Sequence, residues 1–151
     1  AFWVRIQVIA TPTPTPTAPT PTSTPSPTAT PPIIQANGTA DIFPGDQLDL
    51  DTLVINQDTS NDILYESNAD GELSLNPINN AKSGWYGGSI PSFTDCTTAQ
   101  LNSTALPLND AILDEFWCYR TSQGLPGYFE MTVFDTESNQ LTLTILTWSS
   151  P

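Results

Sequence analysis

Gln140-Leu-Thr-Leu-Thr-Ile-Leu-Thr-Trp148 decides the fold class of this chain. Leu141, Leu143 and Ile145 recur at every second position with Thr between them, the period of a half-buried β-strand. The stretch just upstream repeats the pattern, with Phe129, Met131 and Val133 facing inward from a strand over Tyr128 to Phe134. The turn Asp135 to Asn139 joins the two as a hairpin, and Thr121 to Gly127, with glycines at its flexible points, joins them to a strand over Glu115 to Thr121. The C-terminal part therefore reads as a three-stranded meander.

Working upstream, Asn, Asp, Gly, Ser and Pro clusters separate further candidate strands at Ile33 to Ala36, Gln47 to Ile55, Asp62 to Glu66 and Glu72 to Leu75. Only Thr94 to Leu101 resembles a helix, with Thr94 as N-cap and Asp95 in the first turn. The predicted fold is all-β, an antiparallel β-sandwich of about seven or eight short strands with one short helix. Cys96 and Cys118 are the only cysteines. They read as one disulfide pinning the helix to a strand in an oxidising setting, the alternative being two buried thiols. Closing a loop of this length contributes about 3.4 kcal/mol in the chain-entropy model.

The globular part, residues 33–151, is preceded by a different kind of sequence. Thr11 to Pro32 is Thr or Pro at every position except Ala18, Ser23, Ser26 and Ala29. Such a run fixes φ at nearly every other residue and lacks the donors for helix or sheet. It reads as a polyproline II rod of about 68 Å, against a diameter of roughly 35 Å for a domain of this size. Interleaved Thr and Pro are also the composition of an O-glycosylated stalk. Thr11, Thr13, Thr15, Thr17, Thr20, Thr22 and Thr24 are the candidate acceptors. Asn37-Gly38-Thr39 and Asn102-Ser103-Thr104 add two N-glycosylation sequons in turn-like contexts.

Ahead of the rod lies an apolar peptide, residues 1–10, Ala-Phe-Trp-Val-Arg-Ile-Gln-Val-Ile-Ala. As a strand it places Phe2, Val4, Ile6 and Val8 on one face. As the tail of a severed transmembrane helix it places Trp3 and Arg5 at an interface. A first residue that is Ala suits a mature product freed of its export signal, or a piece of something longer. No stretch of the chain as given reaches the roughly 18 apolar residues that span a membrane.

Charge excludes several partners. Three basic residues stand against sixteen acidic ones, and only Lys82 and Arg120 lie in the globular part. Such a surface repels nucleic acid and anionic lipid. The chain has no histidine, which removes the commonest general base and metal ligand. Carboxylates are numerous but no spacing singles out a hydrolytic pair, so neither an enzyme, a catalytic residue nor a cofactor is expected. Asp46, Asp49 and Asp51, with Asp41 nearby, could hold calcium. They lack the Gly and distal Glu of an EF-hand loop, and Asp49 and Asp51 alternate with Leu48, Leu50 and Leu53 as a solvated strand face does, so no metal is expected. Gly84-Trp85-Tyr86-Gly87-Gly88 puts two aromatics on a glycine-rich loop that stacks on sugar rings or a partner, or else lets Trp85 plug one end of the sandwich. Arg120 reads as the partner of a carboxylate at the sheet end.

Taken together, Asp49-Leu-Asp-Thr52, Asp62-Ile-Leu-Tyr65, Leu75-Asn-Pro-Ile-Asn-Asn-Ala81, Cys96, Cys118-Tyr-Arg-Thr-Ser-Gln-Gly124 and Leu141 to Trp148 resemble a β-rich extracytoplasmic module of Chloroflexota surface proteins. In that family the module follows a Thr/Pro-rich linker and a membrane segment. The resemblance implies an extracellular or cell-surface location and brings no activity to particular residues.

Two functional expectations follow. In the first, the chain is a structural subunit of an extracellular, pilus-like filament, a homo-polymer grown by head-to-tail donation of Phe2, Val4, Ile6 and Val8 to the next subunit's sandwich. Burying four such side chains is worth on the order of 6 to 12 kcal/mol before ordering costs. A type IV pilin is a poor match, since its long apolar helix is missing. In the second, the chain is a stalk-mounted binding or sensing ectodomain, and the apolar peptide is the remnant of an anchor.

Overall fold

The computed structural model describes residues 30–57, 59–108 and 112–149. Two antiparallel sheets face each other, as the alternating strands require. The first has five strands in the order β1 (Ile33–Ile42), β9 (Gln140–Ser149), β8 (Pro126–Asp135), β7 (Phe116–Arg120), β5 (Lys82–Gly87). The second has four: β2 (Gln47–Leu48), β3 (Ile63–Ser67), β4 (Leu73–Pro77) and β6 (Leu106–Pro107). The result is the expected all-β sandwich with one short helix, α1 (Phe93–Thr98).

The meander β7, β8, β9 forms as read, and Leu141, Leu143 and Ile145 are buried between the sheets against Met131, Phe129, Tyr65 and Leu75. Val133 departs from the expectation. The β8–β9 register shifts between Met131 and Val133, so the strand carries a bulge at Thr132. One extra residue reverses the faces that follow. Val133 is therefore exposed, and Phe134 packs on the core in its place.

Other boundaries moved for local reasons. β1 runs through the sequon at Asn37 to Ile42, because Ala40 and Ile42 alternate onto the core opposite Leu143 and Leu141. The expected strand Gln47 to Ile55 stops after Leu48, where the chain turns away. Lys82–Gly87, expected as a loop, is the edge strand β5. The N-cap of α1 is Ser92 rather than Thr94. Its hydroxyl accepts the Asp95 amide at 3.2 Å while the Asp95 carboxylate accepts the Ser92 amide at 2.8 Å, a reciprocal capping box.

α1 covers the outer face of the five-stranded sheet. Cys96 and Cys118 are bonded as expected, with Cα atoms 5.1 Å apart. Around them Phe93 meets Trp148 edge-on at 5.6 Å, and Tyr128 lies 5.7 Å from Trp148 on the other side. The sheet is thus covered on its outer face where β7, β8 and the end of β9 meet α1. Among the described residues Arg120 does not meet a carboxylate. Its guanidinium donates to the carbonyls of Thr97 at 2.9 Å and Gly124 at 3.3 Å, joining the C-terminal turn of α1 to the β7–β8 turn.

The apolar peptide with Phe2, Val4, Ile6 and Val8, and the rod from Thr11 to Thr24, lie outside the described residues. No described helix is long and apolar enough to cross a membrane.

Candidate functional site

Two features stand out: a buried group of carboxylates after β2, and an uncovered aromatic shelf at β5.

The carboxylates arise where the chain leaves the sheet. Leu48 and Leu50 anchor it in the core, and between and after them it folds into a tight turn. Asp49 Oδ1 accepts the amides of Asp51 at 2.8 Å and Thr52 at 3.2 Å, and its Oδ2 accepts the Ser60 hydroxyl at 2.6 Å. Leu53 closes the turn at φ 60°, a conformation unusual for a bulky side chain. Asp62, the residue before β3, accepts the Leu50 amide at 2.9 Å on one oxygen and the Ser122 amide at 2.6 Å on the other. It thereby ties the β2 loop to the β7–β8 turn.

Asp49, Asp51 and Asp62 are all buried, and one carboxylate oxygen from each lies within 4.8 Å of the others. The expectation of a solvated face for Asp49 and Asp51 is thus incorrect. Alternation describes a strand, and these residues are no longer in one. Asp41 and Asp46 do not join the group. Asp41 accepts the Thr142 hydroxyl on β9, and Asp46 caps the Phe43 amide. Asp62, assigned in the sequence to a strand, is the member that spacing did not reveal.

Asp51 is only 7 % exposed, and neither of its carboxylate oxygens has a hydrogen-bond partner among the described residues. Burial, then the charges of Asp62 and Asp49, push its carboxyl up to about 6, and the nearby Thr121 hydroxyl, outside hydrogen-bond geometry, offsets only part of this. Asp62 is also raised by burial, against the opposing pull of the Ser122 and Leu50 amides.

The shelf is built by β5 lying beyond the reach of the four-stranded sheet. Trp85 pairs across the ladder with Trp117, so both indoles sit on the inward side of their sheet. Trp117 is half-buried against the core, whereas Trp85 stands largely uncovered. Trp85 is 65 % exposed, which rules out the plug expected for it. Its indole Nε1 donates to Glu115 Oε2 at 3.0 Å, which fixes the ring's orientation. Beside it runs a cleft of about 310 Å³ lined by Ser83, Trp85, Asn102, Thr104, Leu106 and Trp117 among others. The Trp117 Nε1–H is buried without a partner among the described residues. Tyr86 points the other way, as the next residue of a strand must, and packs beside α1 near Asp95.

A larger cleft of about 620 Å³ lies by the β3–β4 turn. Its one carboxylate, Glu72, already accepts the Asn68 amide nitrogen at 2.7 Å. Of the two sequons, Asn37 is exposed on β1 rather than in a turn, and Asn102 is exposed beside the shelf with its Oδ1 accepting the Thr104 amide at 2.8 Å.

Comparison of the chain with protein-family models, with curated proteins and with solved structures returned no match.

Proposed function

We propose that the chain is a recognition module carried on a Thr/Pro-rich tether outside the cytoplasm, and that the β5 edge binds neutral saccharide chains. The observation that carries this reading is Trp85: an indole two-thirds exposed, yet held in one orientation by Glu115 and set opposite Trp117. A fixed aromatic face stacks on the apolar face of a sugar ring, and the hydroxyls and amides of Ser83, Asn102 and Thr104 beside it match sugar hydroxyls. Acidic excess disfavours anionic polymers as ligands. The disulfide fits an oxidising, extracytoplasmic setting.

Support also comes from the core. It is filled by side chains of residues 40–145, and both sheets are assembled from the chain's own strands. A donated strand is therefore not needed to complete the sandwich. One observation favours the filament reading as a second possibility: β1, ten residues long, is an edge strand with Ile33 and Ile34 exposed, and such an edge accepts a further strand.

Retention of the full chain, and of a chain lacking residues 1–10, on immobilised neutral polysaccharides tests the proposal. Both chains are expected to be retained and to run as monomers in size-exclusion chromatography. Polymers that vanish on removing residues 1–10, with no retention by either chain, would favour strand donation instead.

A further inference from the structure

We propose that Asp49, Asp51 and Asp62 form a binding site for a hard divalent cation, calcium in preference to magnesium, which locks the loop after β2 onto the β7–β8 turn. The inference is independent of what the β5 edge binds.

Three buried carboxylates within ion-sharing distance are costly unless a positive charge joins them. Neither cation among the described residues does so. Arg120 is engaged by the carbonyls of Thr97 and Gly124, and Lys82 is exposed on β5. The hydrogen bonds on Asp49 and Asp62 orient those two carboxylates without using all their lone pairs. Asp51 contributes the second and independent sign. It is more than nine-tenths buried, sits within the group, and has neither oxygen in hydrogen-bond geometry with a partner among the described residues.

Ligand chemistry selects the ion. All donors are oxygens, the chain has no histidine, and both cysteines are in the disulfide, so zinc and softer metals are disfavoured. The three oxygens lie within 4.8 Å of one another, near enough to share one ion with bonds of about 2.3–2.6 Å. Magnesium, with its near-ideal octahedral demand and strong hold on its waters, is less suited to a buried site of three protein carboxylates. Backbone carbonyls and water would complete the shell.

The test uses the full chain, stripped with chelator and titrated with calcium chloride or magnesium chloride. Calcium at about a hundred-fold excess over Kd is expected to raise Tm by roughly 10 °C, and magnesium by much less. Asp51→Asn, which keeps the shape and removes the unpaired charge, is expected to lose the response, whereas Asp41→Asn keeps it. Should Asp51→Asn fail to fold, terbium bound to the wild-type chain and excited through tyrosine gives a second readout, since Tyr119 lies close enough to feel the charges of Asp51 and Asp62. Sensitised emission displaced by calcium is expected. The proposal is overturned by no calcium heat or Tm shift up to about 10 mM, beyond the range of weak extracellular sites, by a full response in Asp51→Asn, or by the absence of sensitised emission.

Discussion

Tyr119 of β7 covers Gly127 of β8 so closely that a methyl group at Gly127 would collide with the phenol ring and with the carbonyl of Leu146. The phenol is fully buried. Its hydroxyl meets that of Thr147, which in turn donates to the carbonyl of Leu50. This chain of contacts runs from the five-stranded sheet to the turn that holds Asp49 and Asp51. Gly127→Ala is expected to cost about 3 kcal/mol, the upper end for overpacking a core, because backbone as well as ring must move. Urea unfolding checks it, and a loss under about 0.5 kcal/mol, the range of an ordinary surface change, would contradict the packing.

The disulfide makes a separable contribution. Cys96→Ser with Cys118→Ser is expected to lower stability by about 3 kcal/mol in the chain-entropy model. Hydrogen exchange should quicken first in α1, whose six residues lean on Trp148 and the bonded pair. Equal loss of protection in β8 and β9 would mean that α1 is no independent layer.

Acidity should stabilise the cation-free protein. The Asp51 carboxyl, pushed up to about 6 from 3.8, holds a proton in the folded state that the unfolded chain has released. Its contribution is thus fully present below pH about 4 and is lost as pH rises through about 6, on the order of 2–3 kcal/mol. Asp95 and Asp135, exposed carboxyls lowered by their Ser92 and Ser138 partners, act in the opposite sense at the acid end. In chelator, Tm is expected to be higher at pH 5 than at pH 7.5, and Asp51→Asn to flatten the difference. A wild-type Tm that climbs from pH 5 to 7.5 would contradict the burial of Asp51.

The bulge at Thr132 predicts unequal neighbours. Val133→Thr should be neutral within about 0.5 kcal/mol, while Phe134→Ala should cost about 2–3 kcal/mol, less than for a fully buried ring. Thermal melts of the two variants distinguish this register from one without the bulge, in which Val133 is the costly position.

These cases show what was legible in the sequence. Alternation over Gln140 to Trp148 was enough for the sheet, the meander and the inward face, because period two is a property of local backbone. Val133 escaped because a bulge leaves no mark on composition, only on pairing. Asp51 escaped for a related reason: alternation with Leu48 and Leu50 continued in the sequence after the strand had ended. Its third partner, Asp62, comes from beyond an intervening loop. Trp85 and Tyr86 were legible as an aromatic pair between glycines, but their separation onto opposite faces required β5 to be a strand. The pairing of Cys96 with Cys118 needed only their number.

The recognition account rests on one indole. Titrating the full chain with soluble neutral polysaccharides, while following the heat of binding, tests it most directly. The account predicts a saturable change with the wild-type chain that Trp85→Ala abolishes without altering Tm by more than about 2 °C, as befits an exposed side chain. A saturable change of equal affinity in Trp85→Ala, or none with the wild-type chain across the panel, would contradict it.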